Sequence, residues 1–278
     1  MSRFASYDGT EIEFRRLGEG RPLVCLPGGP GRASEYLGDL GGLSGSRQLV
    51  QADTRGTGAS ASADPSTYRC DRLVADVEAL RAHLGLERFD LLGHSAAGDL
   101  AVLYAAAHPG RLDHLILLTP GLQAVGVQPT EEEGRAAMKH RSGEPWYGDA
   151  VAAVQKAEAG QDSLENRSRY VPFYYGRWDE AAQAHAQVGI SDRARAVREG
   201  WYADGALRPE ATRAALGALS APVLIYAGEL DFASTPGAAA RAAELFRSSK
   251  VVVQPGTAHY PWLDDPAWFR SAIDSFLG

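Results

Sequence analysis

The sequence predicts an α/β protein with a mostly parallel central sheet and helices on both faces. Short apolar runs alternate with segments of helical period, a glycine loop follows the first buried run, and 278 residues can enclose one sizeable core. Strands that alternate with helices form parallel βαβ units, because a parallel neighbour needs a crossover connection. Ligands of such sheets bind beyond the carboxyl ends of the strands, so the loops there are the places to search.

The strands follow from the apolar runs. The first two stretches alternate around an Asp8-Gly9 turn, which is typical of a β-hairpin. The third is a continuous apolar run that enters a glycine loop, as expected of a buried strand. In chain order, the predicted strands are residues 4–7, 11–16, 22–26, 48–52, 89–92, 115–118, 223–226 and 251–253.

The helices of the alternating part lie between or after these strands. The first has apolar residues with helical spacing at Leu73, Val74, Val77, Leu80 and Leu84. A second is rich in alanine. In chain order, the predicted helices are residues 71–84, 96–107, 237–246 and 267–277.

The stretch 123–219 interrupts the alternation of strands and helices. It shows no clear strand and holds nine of the 24 aromatic residues, which either line a pocket or form the stretch's own core. The sequence therefore predicts a core of residues 1–122 and 220–278 with a helical cap, residues 123–219, inserted over the sheet as a lid. Helical patterns within the cap cover residues 150–159, 179–188, 192–200 and 209–219.

Composition and charge exclude several classes of protein. A hydrophobic content of 45% with 23% charged residues excludes a disordered or fibrous chain. The formal net charge of −7 argues against a nucleic-acid partner. No apolar stretch approaches the roughly 20 residues that span a bilayer, and no signal-peptide pattern opens the chain, so we expect a cytoplasmic protein without a membrane partner. Cys25 and Cys70 cannot form a disulfide framework.

The strongest chemical motif is residues 93–98, Gly-His-Ser-Ala-Ala-Gly, between a predicted strand and a predicted helix. A serine on so sharp a turn has strained backbone geometry, so the residues two positions away must be small, as Gly93 and Ala97 are. The N-terminus of the helix after Ser95 favours developing negative charge. This context predicts Ser95 as a nucleophile.

A serine hydroxyl needs a base, and in this kind of motif an acid and then a histidine follow the serine along the chain. Only His94 and His259, of seven histidines, come at the carboxyl end of a predicted strand, and His94 belongs to the serine turn. His259 is therefore the predicted base. Asp231 follows the strand 223–226 and is the predicted acid that orients His259, with Glu229 as its nearby competitor.

An oxyanion needs two fixed donors. We expect them to be the backbone N–H of Ala96 and that of Gly29, because glycine in the Gly28-Gly29-Pro30 loop lets the backbone approach a substrate closely. No histidine–carboxylate cluster has metal-ligand spacing, and no dinucleotide-binding glycine motif follows the first strand. The sequence therefore predicts neither a metal nor an organic cofactor.

Over essentially its whole length the chain resembles the α/β-hydrolase superfamily. Residues 27–31 are similar to the His-Gly-Gly-Pro-Gly loop of the proline iminopeptidase group, and residues 53–60 match its Asp-x-Arg-Gly-x-Gly-x-Ser loop. Pro27 replaces the group's histidine, whereas His94 and Ala96 make the serine turn more like that of esterases. We interpret the second loop as structural, with Asp53 and Arg55 connecting the loops around the site.

The resemblance implies a serine hydrolase that cleaves an ester or amide through an acyl-enzyme. Glu165, followed by Tyr170, is loosely similar to the lid segment in which aminopeptidases of this kind place a glutamate on the substrate's amino group. A carboxylate facing a cavity would favour an ammonium over a neutral ester. Glu165, Tyr170, Trp178 and Gly28 are therefore candidate substrate-binding residues.

Three functions stay open at this point. The first is an aminopeptidase or amidase for small N-terminal residues. The second is an esterase, lactonase or thioesterase of a small metabolite. The third is a ligand receptor or non-hydrolytic catalyst that retains the triad. In each case the partner is a small molecule or a short peptide, and the many Tyr and Trp residues of the cap favour one with a ring or a partly polar character.

Overall fold

The computed structural model describes residues 1–161, 163–190 and 194–278, and only the backbone at residue 164. Eight strands form one sheet: β1 (Ser2–Ala5), β2 (Glu11–Leu17), β3 (Pro22–Leu26), β4 (Gln48–Ala52), β5 (Phe89–His94), β6 (Leu112–Leu118), β7 (Val223–Gly228) and β8 (Ser249–Gln254). Their order is β1-β2-β4-β3-β5-β6-β7-β8. β1 and β2 pair antiparallel, β2 joins β4 antiparallel, and the strands from β4 to β8 in this order are parallel. The prediction of a mostly parallel sheet is confirmed.

Both faces of the sheet are buried, which explains why the central strands are continuous apolar runs. Successive residues point to opposite faces. Along β5, Leu91 therefore belongs to one apolar cluster and Leu92 to the other, and Ile116 and Leu117 of β6 divide in the same way.

Helices cover both faces of the sheet. The cluster that contains Leu91 also includes residues of the helices Cys70–His83, Ala97–Ala107, Pro209–Leu216 and Pro236–Ala243, and the other includes residues of the helix Pro266–Leu277. The helices outside residues 123–219 are α1 (Cys70–His83), α2 (Ala97–Ala107), α9 (Pro236–Ala243), α10 (Pro261–Asp264) and α11 (Pro266–Leu277).

The described residues between β6 and β7 contain helices and turns but no strand. The helices are α3 (Glu131–Lys139), α4 (Tyr147–Glu158), α5 (Leu164–Tyr170), α6 (Glu180–Gln187), α7 (Arg195–Gly200) and α8 (Pro209–Leu216). Of the predicted helix 192–200, residues 192 and 193 lie outside the described residues. Among the helices that the structure describes, none is long and apolar enough to cross a membrane.

Three described helices, α3, α5 and the short α10, were not predicted from the sequence, and the first strand ends earlier than expected. The pattern did not predict α3, which begins with a capping box of Thr130 and Glu133, or α5, whose residues show little apolar periodicity. The first strand ends at Ala5 rather than at residue 7. The reason is that the N–H of Ser6 donates to the carbonyl of Thr10 and closes the turn earlier.

The loop 53–60 connects three parts of the core, in agreement with a structural role. The carboxylate of Asp53 accepts the N–H groups of Ser34 at 2.7 Å and Ala59 at 3.1 Å. Gly58 has a φ of +47°, and a Cβ there would lie 1.8 Å from an Asp53 carboxylate oxygen. The position therefore requires glycine.

Arg55 forms a buried ion pair beneath this loop. Its guanidinium is 0% exposed and donates through Nε to Asp76 at 2.7 Å, with a second bond from Nη2 to the same carboxylate. A further bond joins Nη1 to Asp8 at 2.7 Å, and Ser6 donates to Asp76 as well. The side chain of Asp76 is 10% exposed, so water cannot replace it as a partner of Arg55.

We predict that Asp76→Ala lowers the free energy of unfolding by about 3 kcal/mol or more, because it leaves a buried guanidinium with one partner fewer. Urea unfolding followed by circular dichroism measures this change. Glu131→Ala, which breaks an exposed ion pair with Arg135, is the matched control and should change the free energy of unfolding much less. Equal losses in the two variants would contradict the prediction.

Candidate active site

Ser95 occupies the sharp turn between β5 and α2, with a left-handed φ of +54°. Its N–H donates to the carbonyl of Leu118 at the end of β6 at 3.0 Å, and its own carbonyl accepts the N–H groups of Gly98 and Gly121, both at 2.7 Å. A Cβ at Gly93 would lie 2.4 Å from the Ala97 carbonyl oxygen. The turn thus needs a small residue at position 93, and surrounding hydrogen bonds hold the strained backbone in place.

His259 and Asp231 form a buried hydrogen-bonded pair. His259 Nδ1 lies 2.6 Å from Asp231 Oδ2, and the other oxygen of Asp231 accepts the N–H groups of Ala233 at 2.9 Å and Ser234 at 3.1 Å. A carboxylate can only accept, so in the neutral imidazole Nδ1 carries the proton and Nε2 is the basic atom. Glu229, the competing acid, instead accepts the N–H of Gly256 at 2.8 Å.

Backbone contacts hold His259 against the ends of the neighbouring strands. Its carbonyl accepts Thr119 Oγ1 at 3.0 Å and His94 Nε2 at 3.1 Å, and its N–H donates to the carbonyl of Tyr174 at 3.0 Å. The rings of His94 and His259 lie 5.0 Å apart. Ser95 follows His94 directly, so all three predicted catalytic residues lie at the carboxyl edge of the sheet; their catalytic roles stay predictions.

The glycine loop after β3 lies directly against Ser95. A Cβ at Gly28 would be 2.6 Å from the Cβ of Ser95 and 3.2 Å from its Oγ. The N–H of Gly28 donates to Tyr36 Oη at 2.7 Å. By contrast, the N–H groups of Gly29 and Ala96 donate to no acceptor among the described residues.

The structure does not bring Glu165 to this site. The side chain is 79% exposed on α5 and pairs with Arg169 at 2.8 Å, one helical turn later. The expectation that this carboxylate faces a cavity beside Ser95 is therefore not met. Trp178 is half-buried and packs against Tyr175, with ring centroids 5.2 Å apart.

Tyr170 lines a cavity of about 490 Å³ between α3, α4 and α5. Its aromatic wall consists of Tyr170, Tyr174 and Phe232, and the ring centroids of Tyr174 and Phe232 lie 5.0 Å apart. The ring of Tyr174 also packs 5.1 Å from that of His259, while Phe232 follows Asp231 directly. An aromatic wall thus separates the cavity from the histidine–aspartate pair.

Arg141 is a buried residue of the site region that sequence reasoning missed. Its guanidinium donates to the carbonyl of Leu230 at 2.6 Å and to that of Tyr175 at 2.9 Å, and burial lowers its pKa. It thereby links residues 123–219 to the loop of Asp231. No local pattern distinguishes this arginine, because its partners are far away in the chain.

Asp99, one turn into α2, also connects the serine turn to residues 123–219. Its carboxylate accepts the N–H of Ala124 at 2.7 Å and the hydroxyl of Tyr202 at 2.8 Å. The side chain is fully buried, and this burial raises the pKa of Asp99 to about 6. Asp99 therefore titrates at a higher pH in the folded protein than in the unfolded chain.

The sheet order and the serine turn after β5 are those of an α/β-hydrolase fold. The family model described as the alpha/beta hydrolase fold matches residues 21–266, and the chain belongs to that family. The fold and family expected from the sequence are thus confirmed.

Similar proteins in this family include hydrolases of peptides and of esters. The proline iminopeptidase of Lactobacillus helveticus is 38% identical over 117 residues, which make up 39% of this chain and 40% of that protein, so this match spans less than half of the relative. The proline iminopeptidase of Heyndrickxia coagulans is 24% identical over 285 residues, with coverage of 99% and 97%. A solved esterase from Rhodococcus sp. ECU1013 is 26% identical, with a TM-score of 0.75 and coverage of 99% and 97%.

We predict that Asp99→Asn changes the pH dependence of stability. Because burial raises the pKa of Asp99 to about 6, its contribution to the free energy of unfolding is greatest below about pH 4. It falls by on the order of 3 kcal/mol as the pH rises to about 6. The asparagine variant lacks this loss, so its stability relative to wild type should increase over that range. Urea unfolding at several pH values measures the difference; a constant difference would refute the prediction.

Proposed function

We propose that the protein is a serine hydrolase of small esters or amides. The observation that supports this most is the buried Asp231–His259 pair, at 2.6 Å, on the same sheet edge as the strained turn of Ser95. The available N–H groups of Gly29 and Ala96 add the donors that acyl transfer needs.

In the proposed mechanism, Ser95 Oγ attacks the substrate carbonyl while His259 Nε2 takes the hydroxyl proton. Asp231 stabilises the resulting imidazolium, and the N–H groups of Gly29 and Ala96 bind the oxyanion. Collapse breaks the bond to the leaving group, which receives the proton from His259, and Ser95 remains acylated. Water then attacks the acyl-enzyme by the same steps, releasing the acid and restoring the Ser95 hydroxyl.

Residues 123–219 serve in this proposal as a cap over the site. They already contact the proposed catalytic residues, because the Tyr174 carbonyl binds the N–H of His259 and Arg141 binds the carbonyl of Leu230. On the side that faces His259, the ring of Tyr174, whose centroid lies 5.1 Å from that of His259, offers an aromatic surface that suits an apolar or ring-containing part of a substrate. A neutral ester of this kind is the substrate class that we favour.

A proline-iminopeptidase activity is the second candidate, favoured by the loops 27–31 and 53–60 and by relatives such as the Heyndrickxia coagulans protein. It requires an anchor for the substrate's ammonium. The exposed Glu165, paired with Arg169, is poorly placed for that role.

We predict that a fluorophosphonate probe labels Ser95 and that Ser95→Ala abolishes both labelling and turnover without loss of folding. The serine hydroxyl is the atom that forms the covalent bond in the proposed mechanism. Intact-mass spectrometry measures the labelling, and circular dichroism the folding. Ser46→Ala, at an exposed serine bonded to Asp274, is the matched control. Retained labelling in Ser95→Ala would show that the nucleophile is another residue.

The two candidate substrate classes give different kinetic results. We expect turnover of p-nitrophenyl acetate without comparable turnover of proline β-naphthylamide. The reason is that the carboxylate of Glu165 on α5 is exposed and paired with Arg169, and so is poorly placed to bind the ammonium of the arylamide. Steady-state kcat/KM for both substrates measures this. A higher kcat/KM for the arylamide would establish the iminopeptidase candidate instead.

A further inference from the structure

A chain of three buried hydrogen bonds connects the glycine loop with the loop of His259. The N–H of Gly28 lies 2.7 Å from Tyr36 Oη, which lies 2.6 Å from His94 Nδ1. On the other side of the imidazole, His94 Nε2 lies 3.1 Å from the carbonyl oxygen of His259. Tyr36 and His94 are 2% and 1% exposed, so water does not compete for these bonds.

The direction of every bond in this chain is fixed by chemistry. Burial lowers the pKa of His94 well below its usual value, so the ring is neutral and has one N–H. The carbonyl of His259 can only accept, which places that proton on Nε2 and leaves Nδ1 as an acceptor. Tyr36 therefore donates its proton to Nδ1, and its oxygen accepts the N–H of Gly28.

We infer that Tyr36 and His94 are positioning residues, which hold the glycine loop of Gly28 and Gly29 in a fixed position relative to the proposed base, His259. The inference rests on the proposed function, in which Gly29 binds the oxyanion and His259 moves the proton. Because the N–H of Gly28 is committed to Tyr36, the Gly28–Gly29 segment cannot rotate freely, and the next N–H stays available to the substrate. The same imidazole fixes the backbone of His259, so one buried ring sets the distance between two groups that must act on one carbonyl.

Arg32 contacts Tyr36 and the glycine loop, although it is not part of the three hydrogen bonds. Its guanidinium stacks 4.1 Å from the centroid of the Tyr36 ring and donates to the carbonyls of Val188 at 2.7 Å and His185 at 2.6 Å. The N–H of Arg32 bonds to the carbonyl of Gly28 at 3.2 Å. The glycine loop is thus held at Gly28 on both its N–H and its carbonyl side.

The neighbouring pair Tyr175–His185 offers a matched control with the same chemistry. Tyr175 Oη lies 2.9 Å from His185 Nδ1, and His185 Nε2 bonds to the Tyr36 carbonyl at 2.8 Å. Tyr175 is 3% exposed, and burial lowers the pKa of His185 to about 4, so this ring is neutral as well. This pair, however, does not join Gly28 to His259.

The test compares Tyr36→Phe with Tyr175→Phe in the full chain, using p-nitrophenyl acetate and the fluorophosphonate probe. Tyr36→Phe should lower kcat and the labelling rate of Ser95 by about tenfold or more, with KM changed less than about threefold, because the lost alignment matters in the transition state. Each variant removes one buried hydroxyl, but that of Tyr175 is not part of the bonds that join Gly28 to His259. Tyr175→Phe should therefore leave kcat within about twofold of wild type.

Variants at His94 test the same inference even if Tyr36→Phe fails to fold. A carboxamide supplies one donor and one acceptor, so His94→Gln should restore most of the kcat that His94→Leu loses, with an unchanged pH profile of kcat/KM. Equal kcat losses in the two tyrosine variants, or in the two His94 variants, would overturn the inference. So would a shifted pH profile in His94→Gln, which would make His94 a proton carrier.

One measurement separates a failure of this inference from a failure of the proposed function. NMR of ¹⁵N-histidine-labelled protein should show His94 as a neutral ring protonated at Nε2, whether or not the protein turns over an ester. A ring protonated at Nδ1 would break the chain of bonds and overturn the inference. Absence of Ser95 labelling in the wild type, with the expected His94 signal, would instead reject the hydrolase mechanism alone.

Discussion

The left-handed turn at Ser95 is the constraint on which the rest of the site depends. Ser95 has a φ of +54° where the chain turns from β5 into α2, and this strained backbone needs small neighbouring residues and hydrogen bonds that hold it in place. Gly93 is the small residue, and the backbone of Ser95 is held by donating to the carbonyl of Leu118 and by accepting the N–H groups of Gly98 and Gly121. Because the parallel order of β3, β5, β6, β7 and β8 brings their carboxyl ends to one edge, the loops that carry the proposed catalytic residues lie at the same edge as this turn.

Residues 123–219 contribute to the support of the proposed catalytic residues. The Tyr174 carbonyl binds His259, and Arg141 binds the carbonyl of the residue before Asp231. Each bond is made to backbone, so the helical segment and the catalytic loops hold one another in position. Asp99 of α2 adds a third connection, because its carboxylate accepts the N–H of Ala124 and the hydroxyl of Tyr202. The site is therefore assembled from both parts of the chain.

The sequence predicted the sheet and placed Ser95, Asp231 and His259 at strand ends, because both features are local patterns of apolar period and loop composition. It did not predict α5, where the apolar period is weak, and it named Glu165 as a candidate substrate-binding residue, whereas the helix exposes that side chain. It also assigned no role to Tyr36, whose hydroxyl bonds to His94, 58 positions away in the chain. Buried polar contacts of this range leave no trace in periodicity, and only the folded backbone brings their members together.

The bond from the His259 N–H to the Tyr174 carbonyl has a consequence for how such proteins diversify. A backbone acceptor makes no demand on side-chain identity, so position 174 can present a different group to the cavity while it continues to hold the histidine loop. Substitution of the ring at this position would then leave the main-chain bond to His259 intact. A chimaera that receives this segment from another family member would have to preserve the path of its main chain at this one carbonyl, whereas the ring attached to it is free to vary.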